Sequence, residues 1–140
     1  MKTIDEVELK EYFSGREDIE FAVLFGSHAK RHSNKMSDID IGIFLKNSNN
    51  VEEIGDKQID ITCAVMRIHK ISNVDIVVLN LANPFLLFQI IKYCKLIYAR
   101  DEKVFYRFKA DSFLKYQDIK PMYDLYDKAA ENSLRRGLNG

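Results

Sequence analysis

The sequence predicts an α/β (α+β) domain, a small mixed sheet covered by helices, on three observations. Short apolar runs alternate with stretches that carry helical periodicity, in the order α-β-α-β-α-β-α-(β)-α. The three main runs are apolar at both odd and even positions, so each strand is buried on both faces. The connection between the first two runs has room for only a turn or two of helix, too little for an ordinary parallel crossover. Those two strands are therefore expected to be antiparallel neighbours.

The elements follow in order. Thr3 and Glu6 form a capping box that opens a first helix to about Phe13, and Ser14-Gly15 stops it. "IEFAVLFG" (19–26) is the first strand. "SHAKRH" has the look of a short helix, and "DIDIGIFLK" (38–46) is the second strand. "NSNN" (47–50) is a loop rich in capping residues. A long helix is expected from Val51 to about Lys70, with Val51, Ile54, Ile61, Val65 and Ile68 near helical spacing. "NVDIVVLNLA" (73–82) is the third strand. Pro84 suits the first turn of a helix through about Tyr93. "KLIYA" (95–99) is a short strand, and from Asp101, an N-cap, the chain is helical with a break at Pro121.

Composition narrows the function. With 140 residues, 46% hydrophobic and 30% charged, the chain fits one domain with a real core. A core over 1–100 and a helical tail over 101–140 divide it. Lys+Arg and Asp+Glu are 21 each, so the basic surplus of a protein that grips nucleic-acid backbones is missing. Stable nucleic-acid binding is not expected. No apolar run approaches the roughly 20 residues that span a bilayer, and no signal peptide is visible, so no membrane association is expected. Cys63 and Cys94 are far apart with no CxxC and read as reduced core residues, which points to the cytoplasm.

The chemistry centres on "LFGSHAKRHSNKMSDIDIGIF" (24–44). Asp38 and Asp40 share one strand face and Ile39, Ile41 and Ile43 the other. Their Cα atoms lie about 6.6–6.8 Å apart, close enough for the carboxylates to share hard cations. Taken alone, such a pair is more often two acids on a solvent-facing strand edge. Gly26-Ser27 at a strand end, before a possible helix start, changes the balance. A glycine lets backbone N–H groups approach a ligand, and a helix terminus favours anions. Of the later acids, Asp56 and Asp60 fit a solvated helix face, whereas Asp75 opens a strand apolar on both faces. By itself, Asp75 reads equally well as a strand-end residue capping a turn.

Gly26-Ser27, then Asp38-Ile39-Asp40, then Asp75 on a later strand resembles the nucleotidyltransferase superfamily of the DNA polymerase β type. The small size is similar to its minimal members, the MntA-type antitoxins paired with HEPN-domain ribonuclease toxins. The resemblance implies a polymerase β-type palm. It implies that Gly26 and Ser27 hold the triphosphate, and the basic Lys30 and Arg31 next to that site would help to bind it. It implies that Asp38, Asp40 and Asp75 bind two Mg2+ ions, with Asp75 also activating the attacking hydroxyl. The reaction would be transfer of AMP from ATP to a hydroxyl, a tyrosine of a cognate HEPN toxin, with loss of pyrophosphate. A binding-only antitoxin and a nucleotidyltransferase acting on a small molecule such as an antibiotic are the alternatives. The family's usual Gly-Ser-Arg-Ala-Arg-Gly here reads Gly-Ser-His-Ala-Lys-Arg, so His28 and Arg31 depart from it. His28 and His32 have i, i+4 spacing but no third zinc ligand. His69 reads as a helix-end cation or surface residue. The tail from Val104 to Leu138 carries more apolar and aromatic surface than one helical stripe needs, which suggests a partner face and a homo- or hetero-oligomer.

Overall fold

The computed structural model describes residues 6–26, 39–46, 50–70 and 73–139. Its elements are α1 (Glu6–Ser14), β1 (Ile19–Phe25), β2 (Ile39–Leu45), α2 (Val51–His69), β3 (Val74–Val78), a 3-10 turn (Leu79–Leu81), α3 (Pro84–Lys92), β4 (Lys95–Ala99) and α4 (Glu102–Asn139). The strand order is β3-β2-β1-β4. β1 is antiparallel to β2 and to β4, while β2 and β3 are parallel, joined through α2. The sheet is mixed and the antiparallel β1–β2 pair is as expected.

Both sheet faces are covered. On one, Ile39, Ile41, Ile43 and Leu45 of β2 pack with Leu9 and Phe13 of α1 and with Ile54, Ile61 and Val65 of α2. On the other, Phe21 and Val23 of β1 pack with Leu87, Ile90 and Ile91 of α3 and Phe105 of α4. Phe21 stacks on Phe44 at 5.2 Å between ring centroids and meets Phe105 edge-on. A strand buried on both sides has no need of polar alternation, which is why these runs are apolar throughout.

Helix starts are capped, at Asn50 and Asp101 as the sequence suggests and at Asn83 in addition. Asn50 Oδ1 accepts from Glu52 N (2.9 Å), Asn83 Oδ1 from Leu86 N (2.8 Å), and Asp101 Oδ1 from Lys103 N (3.0 Å). The capping role given to Thr3 and the helix expected at "SHAKRH" lie outside the described residues. Glu6 begins α1, and its carboxylate accepts from Lys95 Nζ at 2.8 Å.

Several expectations are corrected. β3 stops at Val78 instead of running to residue 82. Asn80 takes over the pairing: its Oδ1 accepts from Leu45 N and its Nδ2 donates to Leu45 O, both at 2.9 Å. A side-chain amide reproduces the donor–acceptor pair of a strand residue, so the backbone is free to turn. α4 runs unbroken through Pro121. Phe85 of α3 contacts both Tyr116 and Tyr123 (ring centroids 6.3 and 5.1 Å), gripping the helix on either side of the proline and holding it in line. Cys63 is exposed because it faces away from the Ile61–Val65 stripe, and Cys94 is only half-buried. Val51 is exposed, outside the buried stripe of α2. His69 is buried at the end of α2 instead of lying on the surface. No helix among the described residues is long and apolar enough to cross a membrane.

Candidate active site

Three strands bring the candidate residues to one end of the sheet. β1 ends at Phe25, whose register partner is Asp40 on β2. Asp40 is in turn the register partner of Asp75 on β3. Phe25, Asp40 and Asp75 thus form one row across the sheet. Adjacent strands are about 4.8 Å apart, so the two aspartates stand side by side on the same face. That face is the one covered by α3 and α4, since Phe44, four residues past Asp40, and Val77, two past Asp75, lie on the same side of the pleat and both pack there. Asp40 is half-buried and Asp75 exposed.

Gly26 follows directly. Its φ is +75°, in the left-handed region, and a Cβ on it would collide with the Asp40 carboxylate. The turn after β1 therefore passes against Asp40 so tightly that only glycine fits. The glycine of the motif and its second aspartate are thus in direct juxtaposition. Two carboxylates on neighbouring strands repel one another unless a cation lies between them. An all-oxygen donor set of this kind suits a hard divalent ion.

Among the described residues no group of three or more metal-ligating side chains gathers. Asp38, Ser27, Lys30 and Arg31, together with His28 and His32, lie outside the described residues. Asp56 and Asp60 are elsewhere, on α2, and Asp60 accepts from Arg16 at 2.7 Å.

Gly42 belongs to no motif in the sequence. It sits two residues past Asp40 on the same face, and a Cβ there would come within 3.1 Å of Leu79 Cδ2 and 3.2 Å of Val23 Cγ2. Its smallness lets Leu79 close over β2 behind the site. A glycine inside an otherwise branched strand is the signal that marks such an approach.

The far end of the sheet is held by ions instead. Arg16 Nε and one Nη grip Asp18 at 3.0 and 2.9 Å, and the other Nη reaches Asp60. Lys57 Nζ adds a 3.5 Å contact to Asp18. Hydrogen bonding from Arg16 holds the Asp18 carboxyl below its ordinary pKa, against the opposing effect of burial. The same bond raises Arg16 above its ordinary value. Burial pushes the Cys94 thiol up.

The chain is similar in fold to several solved toxin–antitoxin assemblies. One, a toxin–antitoxin with AMP-PNP, shares 18% identity at a TM-score of 0.73, covering 91% of this chain and 99% of that one. A chain from the tri-AMPylated Shewanella oneidensis HEPN toxin in complex with MNT antitoxin shares 17% at 0.73, covering 94% and 99%. A chain from the MntA–HepT toxin–antitoxin shares 16% at 0.70, covering 90% and 96%. At these identities the likeness is one of fold. No curated protein sequence matches the chain. The family model for the polymerase beta nucleotidyltransferase domain matches residues 7–103, well over half of the 140, from α1 to the first turn of α4, and the chain belongs to that family.

Proposed function

We propose that the chain is a magnesium-dependent nucleotidyltransferase antitoxin. It transfers AMP from ATP to a hydroxyl, a tyrosine, of a cognate HEPN ribonuclease toxin and so neutralises it. The observation that carries the reading is the in-register pairing of Asp40 with Asp75 beside the close-packed Gly26. The solved assemblies of similar fold support the antitoxin role, one of them holding an ATP analogue and another an AMPylated toxin.

In this reading Asp38, Asp40 and Asp75 hold Mg2+, and Gly26, Ser27, Lys30 and Arg31 hold the triphosphate. Bound magnesium supplies charge neutralisation at the phosphates and lowers the pKa of the attacking hydroxyl. The glycine's missing side chain leaves room for the Asp40 carboxylate itself, which packs where a Cβ would lie. Asp75, exposed at the open side of the row, is placed to receive the hydroxyl's proton. The acceptor oxygen bonds to the α-phosphorus of ATP, the bond from that phosphorus to the bridging oxygen breaks, and pyrophosphate leaves. The tail over 101–140 provides the grip on the toxin. Tyr126 and Leu134 (72% and 69% exposed) continue the body-facing side of α4 beyond Tyr123, its last ring contact with α3.

Incubation with labelled ATP, Mg2+ and the product of the neighbouring gene tests this. Label should pass to that protein, and Asp40→Asn or Asp75→Asn should each cut transfer by about 100-fold or more, as loss of a metal-site carboxylate does. Silencing of the partner by the Asp38→Asn, Asp40→Asn double variant without label would favour neutralisation by binding alone. Label on an added antibiotic and none on the partner would favour the small-molecule enzyme.

A further inference from the structure

The outward side of α4 carries a second line of residues, apolar in the middle and charged at its ends, that neither the core nor the proposed partner surface uses. Asp118, Met122, Leu125, Ala129, Asn132 and Arg136 follow one another at alternating steps of four and three residues. That spacing places them on one helix face, the seam of a two-helix contact. All six are exposed, Met122 by 56% and Leu125 by 69%. The body lies on another side of the helix, where Phe105, Ser112 and Tyr123 face inward. Among the described residues, none of the body covers the seam.

The order of residues along this seam is self-complementary. Reversed about position 127, Asp118 stands opposite Arg136, Met122 opposite Asn132, and bulky Leu125 opposite small Ala129. Each match occurs twice in an antiparallel pair. In a parallel pair Asp118 would face Asp118 and Arg136 would face Arg136, two like-charge contacts. Neither residue forms an ion pair among the described residues. We infer that the α4 seam is a docking surface for a second copy of this chain, packed antiparallel about a two-fold axis near Asp127.

The overlap from 118 to 136 is about 27 Å at 1.5 Å per residue, five turns of contact. The two-fold makes the interface isologous, so one self-matched surface suffices. Leu125 against Ala129 drives the association, and the exposed end pairs select its direction. The seam and the stripe of Tyr126 and Leu134 lie on different sides of α4, so a dimer leaves the proposed toxin surface open. The inference does not depend on catalysis.

Sedimentation equilibrium of the isolated chain, without nucleotide or partner, tests it over a series of concentrations. The mass should rise from 16.3 kDa towards twice that value. Asp118→Arg alone should weaken the dimer about tenfold, because two attractive contacts become repulsive. Asp118→Arg with Arg136→Asp in one chain should restore it. The exchange Leu125→Ala with Ala129→Leu should also dimerise, while Leu125→Ala alone should not. Matched far-UV circular dichroism shows that each variant keeps its helix. A monomer at every concentration overturns the proposal, as does a dimer indifferent to the charge reversal. Failure of both paired exchanges to restore the dimer overturns the antiparallel seam. A seam filled only when toxin is added would assign it to the toxin instead.

Discussion

At the scale of single residues, Gly26 links backbone geometry to the site. A left-handed φ costs an ordinary residue about 1–2 kcal/mol, and here the added Cβ would also displace the Asp40 carboxylate. Gly26→Ala should therefore lower nucleotidyl transfer at least about tenfold, beyond its modest effect on stability. Gly15→Ala is the control. Its Cβ would meet Tyr12 O at an ordinary 3.5 Å, and transfer and melting temperature should both stay near those of the parent. Equal losses in the two variants would mean that Gly26 serves only the chain turn. The motif made Gly26 and Asp40 legible as a pair, since both belong to the polymerase β-type pattern. Their direct contact was not legible, because it depends on the angle at which the chain leaves β1. Asp75 was legible only as one acid on an apolar strand. Its place beside Asp40 is a matter of register, which sequence separation does not encode.

At the scale of elements, β3 shows how a side chain can end a strand. Asn80 replaces two ladder bonds, so Asn80→Leu, which keeps the branched outline but not the amide, leaves Leu45 N and O without those partners. It should destabilise the fold by about 1–3 kcal/mol in urea denaturation, the cost of stranding part-buried backbone groups. An unchanged midpoint would show that water replaces the amide freely. The run "IVVLNLA" gave no warning of the early stop, because its apolar residues suit a strand and a buried 3-10 turn alike. α4 failed to break at Pro121 for a related reason. Local propensity disfavours proline there, but Tyr116 and Tyr123 both clasp Phe85, and tertiary contact prevails. Caps fared better: Asn50 and Asp101 act within two residues of their own position, so sequence suffices to identify them.

At the scale of the whole molecule, the two ends of the sheet divide the work. The end holding Gly26, Asp40 and Asp75 sets two carboxylates side by side on neighbouring strands. The opposite end, before Ile19, satisfies its charges internally through Arg16, Asp18, Asp60 and Lys57. Asp18 has its pKa depressed in the folded state, so its contribution is complete above the unfolded value, about 3.9. It is lost as pH falls through the lower folded value. Chemical denaturation should show wild type more stable than Asp18→Asn at neutral pH, with the gap closing towards pH 3 and below. A gap that stays constant with pH would mean that the pair acts through packing and not through charge.

The sequence by itself determined the element order, the two-faced burial of the strands, the antiparallel start of the sheet and the motif that marks the family. These are local or periodic properties, set by residue type and spacing along the chain. Only the tertiary structure decided that β2 and β3 run parallel with Asp40 beside Asp75, that Gly26 touches that carboxylate, and that α4 carries on past its proline. Each of these rests on residues far apart in sequence meeting at a particular register and distance, and no local propensity specifies such a meeting.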